Sequence, residues 1–178
     1  SQSITGAYVV NNASYSVVVT AINTAGLTGN TDSLTFIFDR VTPLTALTSP
    51  SGAACAGAGA CLNTLPVLAG TATDPGAVVA QSVAQSGVKF RLKNNVNNRY
   101  WNGSAFQVGT FEFGPGSFSG TTLFTFSTAT EAGAALQDGV DYTVYAHAAD
   151  KALNDQSVEA SMANFTFTAF DVEDWRRW

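Results

Sequence analysis

Charge is scarce in this chain. Asp, Glu, Lys and Arg make up 12% of its 178 residues, about half the usual share. The eight basic residues are scattered and the net charge is −5, so there is no basic stripe of the kind that neutralises a phosphate backbone, and nucleic acid is excluded as an expected partner. A weakly acidic surface is compatible with divalent cations. Histidine occurs once. A Ser-His-Asp or Cys-His arrangement would have only His147 as its base, and strand alternation puts that residue on the face opposite Val144 and Ala146. Glu112, Glu131 and Glu159 are the acids available for a glycosidase pair, and nothing in the sequence brings two of them together. The chain reads as non-enzymatic.

Long apolar runs are missing as well. None reaches the roughly 18 to 20 residues of a helical membrane span, and no membrane insertion is expected. The chain starts without Met or a signal-peptide pattern and reads as a mature chain or a fragment of a larger one. Cysteine occurs twice, in "CAGAGAC" at Cys55 and Cys61. Without companion His or Cys ligands the pair does not make a zinc site. It reads as a short-loop disulfide, contributing roughly 2 to 2.5 kcal/mol in the chain-entropy model, or as two buried free thiols. A disulfide would imply an oxidising, extracellular setting.

Hydrophobic residues are nevertheless 46% of the chain, enough for a core. Their period is two. "YSVVVTA" puts Tyr15, Val17, Val19 and Ala21 on one face, and "GVKFRLK" alternates Val88, Phe90 and Leu92 with Lys89, Arg91 and Lys93. "LTFIFD", "TLFTFST", "DYTVYAHA" and "NFTFTAFD" behave alike. Turn signals separate them: Asp74-Pro75-Gly76, Asn102-Gly103, Gly114-Pro115-Gly116 and Asp138-Gly139. "RYWNGSAF" predicts a hairpin closed by a type I′ Asn-Gly turn. Only "ATEAGAALQ", residues 129–137, has a weak helical pattern. Short strands with frequent turns predict an all-β sandwich.

The chain also repeats itself. Without gaps, "AYVVNNASYSVVVTAIN" (residues 7–23) overlies "AALQDGVDYTVYAHAAD" (residues 134–150), with Tyr15 on Tyr142, Val17 on Val144 and Asn23 on Asp150. "LTFIFD" at residues 34–39 then answers "FTAFD" at residues 167–171. "RVTPLTALTSP" follows the first copy as a linker, which places a boundary near Val41. Residues 1–40 thus hold the last two strands of an incomplete unit, residues 41–171 a complete one, and residues 172–178 a Trp/Arg-rich tail.

These segments, with "LAGTATDPG", "YWNGSAF", "LQDGVDYTVYAHAADKALN" and "FDRVTP", resemble the bacterial Ig-like repeats found in tandem in large surface and adhesin-like proteins. The second copy departs from that pattern, reading "DKALN" where the first keeps a glycine in "NTAGLTGN". The resemblance implies a seven-stranded Greek-key sandwich at the cell surface, acting as spacer, stalk or adhesive module. It implies as partners neighbouring repeats or identical subunits arranged head to tail.

Candidate sites follow. In an Ig topology Asp39 in the linker, Asp74 in one turn and Asp150 in another lie at the same end, with Asn154 and Asp155 nearby. They are candidate calcium ligands, or else side-chain caps of their turns. An orphan hairpin would expose Val17, Val19, Phe36 and Phe38 beside Tyr15, leaving edges open to another chain. Either it belongs to a truncated neighbour, or its missing strands come from another copy by strand complementation. Trp175, Arg176, Arg177 and Trp178 have interface composition, or form a loose terminus. Tyr100 and Trp101 are the candidate sugar-stacking pair for the competing function, a carbohydrate-binding module, or belong to a structural hairpin. Sequons occur at Asn12, Asn102 and Asn164.

Overall fold

The alternating segments form strands, and no α-helix occurs among the described residues. The computed structural model describes residues 9–51, 60–75, 87–114, 117–119, 123–126, 135–156 and 161–169. β1 (Ala13–Ile22) and β2 (Thr28–Phe38) pair as a hairpin of their own. A four-stranded sheet has the order β3-β5-β10-β9, from β3 (Leu44–Ser49), β5 (Leu68–Thr73), β9 (Ser117–Ser119) and β10 (Leu123–Phe126). A six-stranded sheet has the order β4-β12-β11-β6-β7-β8, from β4 (Ala60–Leu62), β6 (Val88–Asn94), β7 (Arg99–Trp101), β8 (Phe106–Gln107), β11 (Val140–Ala148) and β12 (Ser161–Phe167). All described pairings are antiparallel except β4 with β12, which is parallel.

The two larger sheets form a sandwich around one core. Leu68 and Ala72 of β5 meet Val88, Phe90 and Leu92 of β6 and Tyr142, Val144, Ala146 and Ala148 of β11, with Trp101 and Phe165 at the sides. Burying such side chains is worth about 1.5 to 3 kcal/mol each. Aromatic rings continue the core in a chain: Trp101 to Phe106 at 5.5 Å, Phe106 to Tyr142 at 5.4 Å and Tyr142 to Phe165 at 5.4 Å between centroids. Thr45 of β3 ties the sheets together. Its Oγ1 donates to the Ala146 carbonyl at 3.0 Å, and its N–H donates to Gln156 Oε1 at 3.0 Å.

The hairpin β1–β2 reproduces β11–β12 in detail. Tyr15 pairs with Phe36 as Tyr142 pairs with Phe165, and the rings stack in both, at 5.7 and 5.4 Å. Each tyrosine hydroxyl accepts an N–H from five residues back, Val10 at 2.5 Å and Gln137 at 2.9 Å. Asn12 and Gly139 both take positive φ, 60° and 69°. They donate to Phe38 and Phe167 carbonyls at 2.7 and 2.8 Å. Asn11 Oδ1 accepts from Arg40 N–H at 2.6 Å as Asp138 Oδ1 accepts from Ala169 N–H at 2.7 Å. In the following turns, Asn23 Oδ1 accepts from Leu27 N–H at 2.8 Å, and Asp150 Oδ1 from Asn154 N–H at 2.9 Å.

Three sequence expectations change. The second repeated strand aligns Leu34–Phe38 with Ala163–Phe167, not with residues 167–171, because Phe36 and Phe165 hold the equivalent positions opposite the two tyrosines. The "YWNG" hairpin forms, but it is closed by four residues between the Trp101–Phe106 pair rather than by a type I′ turn. Only Gly103 of the Asn-Gly pair has positive φ, while Asn102 Oδ1 caps the N–H groups of Ser104 and Ala105. Ala135–Gln137 are not helical, and residues 129–134 lie outside the described residues.

Leu153 stands where the first copy has Gly26, and both take positive φ, 68° and 79°. That conformation costs an L-residue about 1 to 2 kcal/mol. Leu153 is 83% exposed, so its side chain contributes little burial. Leu153→Gly is expected to stabilise the fold by about 0.5 to 1 kcal/mol, after subtracting the extra unfolded-state freedom of glycine. Urea unfolding checks this, and a lower midpoint for the variant would refute it.

Candidate metal centre

Three chain segments converge at one end of the sandwich. Asp39 follows β2, Asp74 follows β5 and Asp150 follows β11. Their carboxylates place one oxygen each within 4.8 Å of one another. Asp39 and Asp150 are buried, at 8% and 4% exposure.

Capping accounts for part of this arrangement. Asp39 Oδ1 accepts from Val41 N–H at 2.9 Å, and Asp150 Oδ1 accepts from Asn154 N–H at 2.9 Å. Asn154 Nδ2 donates to Asp150 Oδ2 at 2.8 Å and to the Asp39 carbonyl at 3.2 Å, so one amide bridges two of the three segments. Capping does not account for Asp74. Both its oxygens, and Asp39 Oδ2, are buried without a hydrogen-bond partner. Burial, then the charges of Asp39 and Asp150, push the Asp74 carboxyl up from 3.8 to about 6. A buried acceptor without a donor is costly, and like charges at this spacing repel.

A hard divalent cation would relieve both penalties. The donor set is all oxygen, which suits calcium and gives zinc neither the nitrogen nor the sulfur it prefers. Asp155, expected nearby, points elsewhere: its Oδ1 lies 3.1 Å from His147 Nδ1, while His147 Nε2 lies 3.2 Å from Glu112 Oε1. Arg91 completes that group through an ion pair to Glu112. Burial opposes ionisation of Glu112, but Arg91 and His147 outweigh it and hold its carboxyl below the usual value. This second cluster escaped the sequence reading because its members come from β6, the segment after β8, β11 and the turn after it. Its only cue was charge on the outward face of adjacent strands.

The other candidate residues fall as follows. Trp101 is 2% exposed, so its ring serves the core and is unavailable for sugar stacking. Its Nε1 is buried without a partner. Tyr100 is half-buried, with Lys93 Nζ 6.0 Å from its ring centroid. In the hairpin, Val17 and Val19 are exposed at 40% and 62% and Phe36 at 39%, whereas Tyr15 and Phe38 are half-buried. Cys61 on β4 has no free thiol, and Cys55 lies outside the described residues. So do Trp175, Arg176, Arg177 and Trp178, and the acids Glu131 and Glu159. No family model, curated protein or solved structure matches this chain.

The raised Asp74 value fixes a sign. Between about 3.8 and about 6 the folded protein holds a proton that the unfolded chain releases. Without cation, stability attributable to this group therefore falls as pH rises through that window, and the penalty is complete above it. Asp74→Asn removes the charge. In chelator at pH 7 it is expected to raise the melting temperature, with the gain over wild type shrinking toward pH 4. Thermal melts of both proteins across pH 4 to 8 check this; a variant less stable than wild type at pH 7 in chelator would overturn the like-charge account.

Proposed function

We propose that the chain is a non-enzymatic structural module of an extracellular surface protein. In this reading an Ig-like sandwich serves as spacer or stalk unit, and calcium stiffens the junction with the element before it. The observation that carries the reading is the origin of the three carboxylates. One comes from the segment joining the hairpin to the sandwich and two from turns of the sandwich itself. A cation shared by them would fix how one unit leaves the next.

Supporting features come from the sheet. The orders β3-β5-β10-β9 and β12-β11-β6-β7 support an Ig-like reading, since they are compatible with Greek-key connections. Tyr142, bonded from its hydroxyl to the backbone at Gln137 near the start of β11, has the form of a tyrosine corner. A Cys55–Cys61 disulfide would suit an oxidising compartment. The sole histidine has both ring nitrogens directed at carboxylates, an arrangement that serves cohesion better than proton transfer.

Titration calorimetry with calcium, beside thermal melts in chelator, tests the reading. Binding should be saturable and lost in Asp74→Asn. At calcium a hundredfold above Kd the stabilisation should approach about 2.7 kcal/mol, and affinity should weaken below pH 6 as Asp74 takes up its proton. An unchanged melting temperature with calcium at neutral pH would sink the proposal.

A further inference from the structure

We infer that the apolar face of β1–β2 is covered by the front strands of another unit of this same kind, joined ahead of the hairpin. This names a partner for the repeat-module reading and rests on it.

The chain holds two copies of one hairpin, β1–β2 and β11–β12. The residues match in register, ring stacking, hydroxyl bond, φ and turn capping. They differ in what lies on top of them. Tyr142, Val144 and Ala146 are all 0% exposed, whereas Val17 is 40% and Val19 62% exposed at the positions of Val144 and Ala146. One hairpin face is mostly apolar: Tyr15, Val17 and Val19 on β1 lie opposite Phe36, Leu34 and, at its far end, Asp32 on β2. The other carries Ser14, Ser16, Thr20, Thr31, Ser33 and Thr35, with Val18 and Ile37 among them. A sheet with this division covers one face and leaves the other in water.

The complete copy specifies the cover. Its β11 has a second neighbour, β6, which sets Leu92 opposite Val144 and Phe90 opposite Ala146. Its β12 takes β4 in parallel on the outer edge, and β3 packs from the facing sheet. Among the described residues no strand pairs with the outer edge of β1, which therefore calls for an antiparallel strand with large apolar residues opposite Val17 and Val19. A second folded copy of this chain cannot give its β6, the strand that covers β11. Its β6 is already bonded on one edge to β11 and on the other to β7 and, through Phe90, to Phe113. The strands must come from a unit that lacks its own closing hairpin, and a unit preceding β1 in the same polypeptide is one.

The test joins a second copy of Val41–Gln137 directly ahead of Asn11, giving Asn11 the predecessor that Asp138 has. Hydrogen exchange is read on β1–β2 amides in the present and the extended chains. The expected result is a rise in protection of about 1000-fold or more on β1–β2 in the extended chain, with loss of the dye binding that exposed apolar surface produces. Protection of β11–β12 serves as the internal control for folding. Unchanged fast exchange on β1–β2 beside a protected β11–β12 would overturn the inference. So would a saturable dimer of the present chain whose contacts map to β1, since that assigns the cover to a second copy. For an extended chain that does not fold, a peptide of residues 87–94 titrated onto the present chain decides: shifts confined to β1 support the inference, and none at millimolar peptide overturns it. None of these readouts involves calcium, so failure of the metal site would be separately visible.

Discussion

Everything in the sandwich depends on β11 lying between two neighbours while one of its faces is sealed. β6 and β12 take its two edges, so its backbone polar groups have partners, and Tyr142, Val144, Ala146 and Ala148 disappear from solvent. Tyr142 pins the strand at its start, because its hydroxyl reaches the backbone at Gln137 while its ring lies between Phe106 and Phe165. At the other end the strand delivers Asp150 beside Asp39 and Asp74. The core and the acidic cluster are thus two ends of a single element.

Much of this was legible in the chain. Period-two alternation located the long strands, because one face of each had to be apolar. The ungapped match of Tyr15 to Tyr142 and Asn23 to Asp150 picked out the repeated strand, since the corner and the turn cap both need particular side chains. The three aspartates could be placed at one end because each follows a strand running toward that end.

What was not legible has physical reasons. The second repeated strand was misaligned by three residues because the match was anchored on the closing Asp39 and Asp171, whereas the residues that occupy equivalent places are Phe36 and Phe165, opposite the two tyrosines. For Trp101 the structural hairpin and the sugar platform both stayed open, because a strand of three residues is too short to show a face. The turn at Asn102 departed from its dipeptide signal because the asparagine side chain, rather than a pair of left-handed residues, closes it. The Glu112–His147–Asp155 contacts join distant segments, and no local pattern announces them.

The parallel pairing of β4 with β12 has a mechanical meaning. Phe165, Thr166 and Phe167 lie beside Ala60, Cys61 and Leu62, and Thr168 N–H extends the ladder to the Leu62 carbonyl at 2.8 Å. β4 lies toward the start of the sandwich and β12 closes it. Tension between the chain's two ends would therefore drag these strands past one another along their length. Their hydrogen bonds share that load at once, whereas an antiparallel pair pulled from neighbouring ends opens one bond after another. A few residues in shear thus become the latch of the whole sandwich, and Cys61 sits in the middle of it.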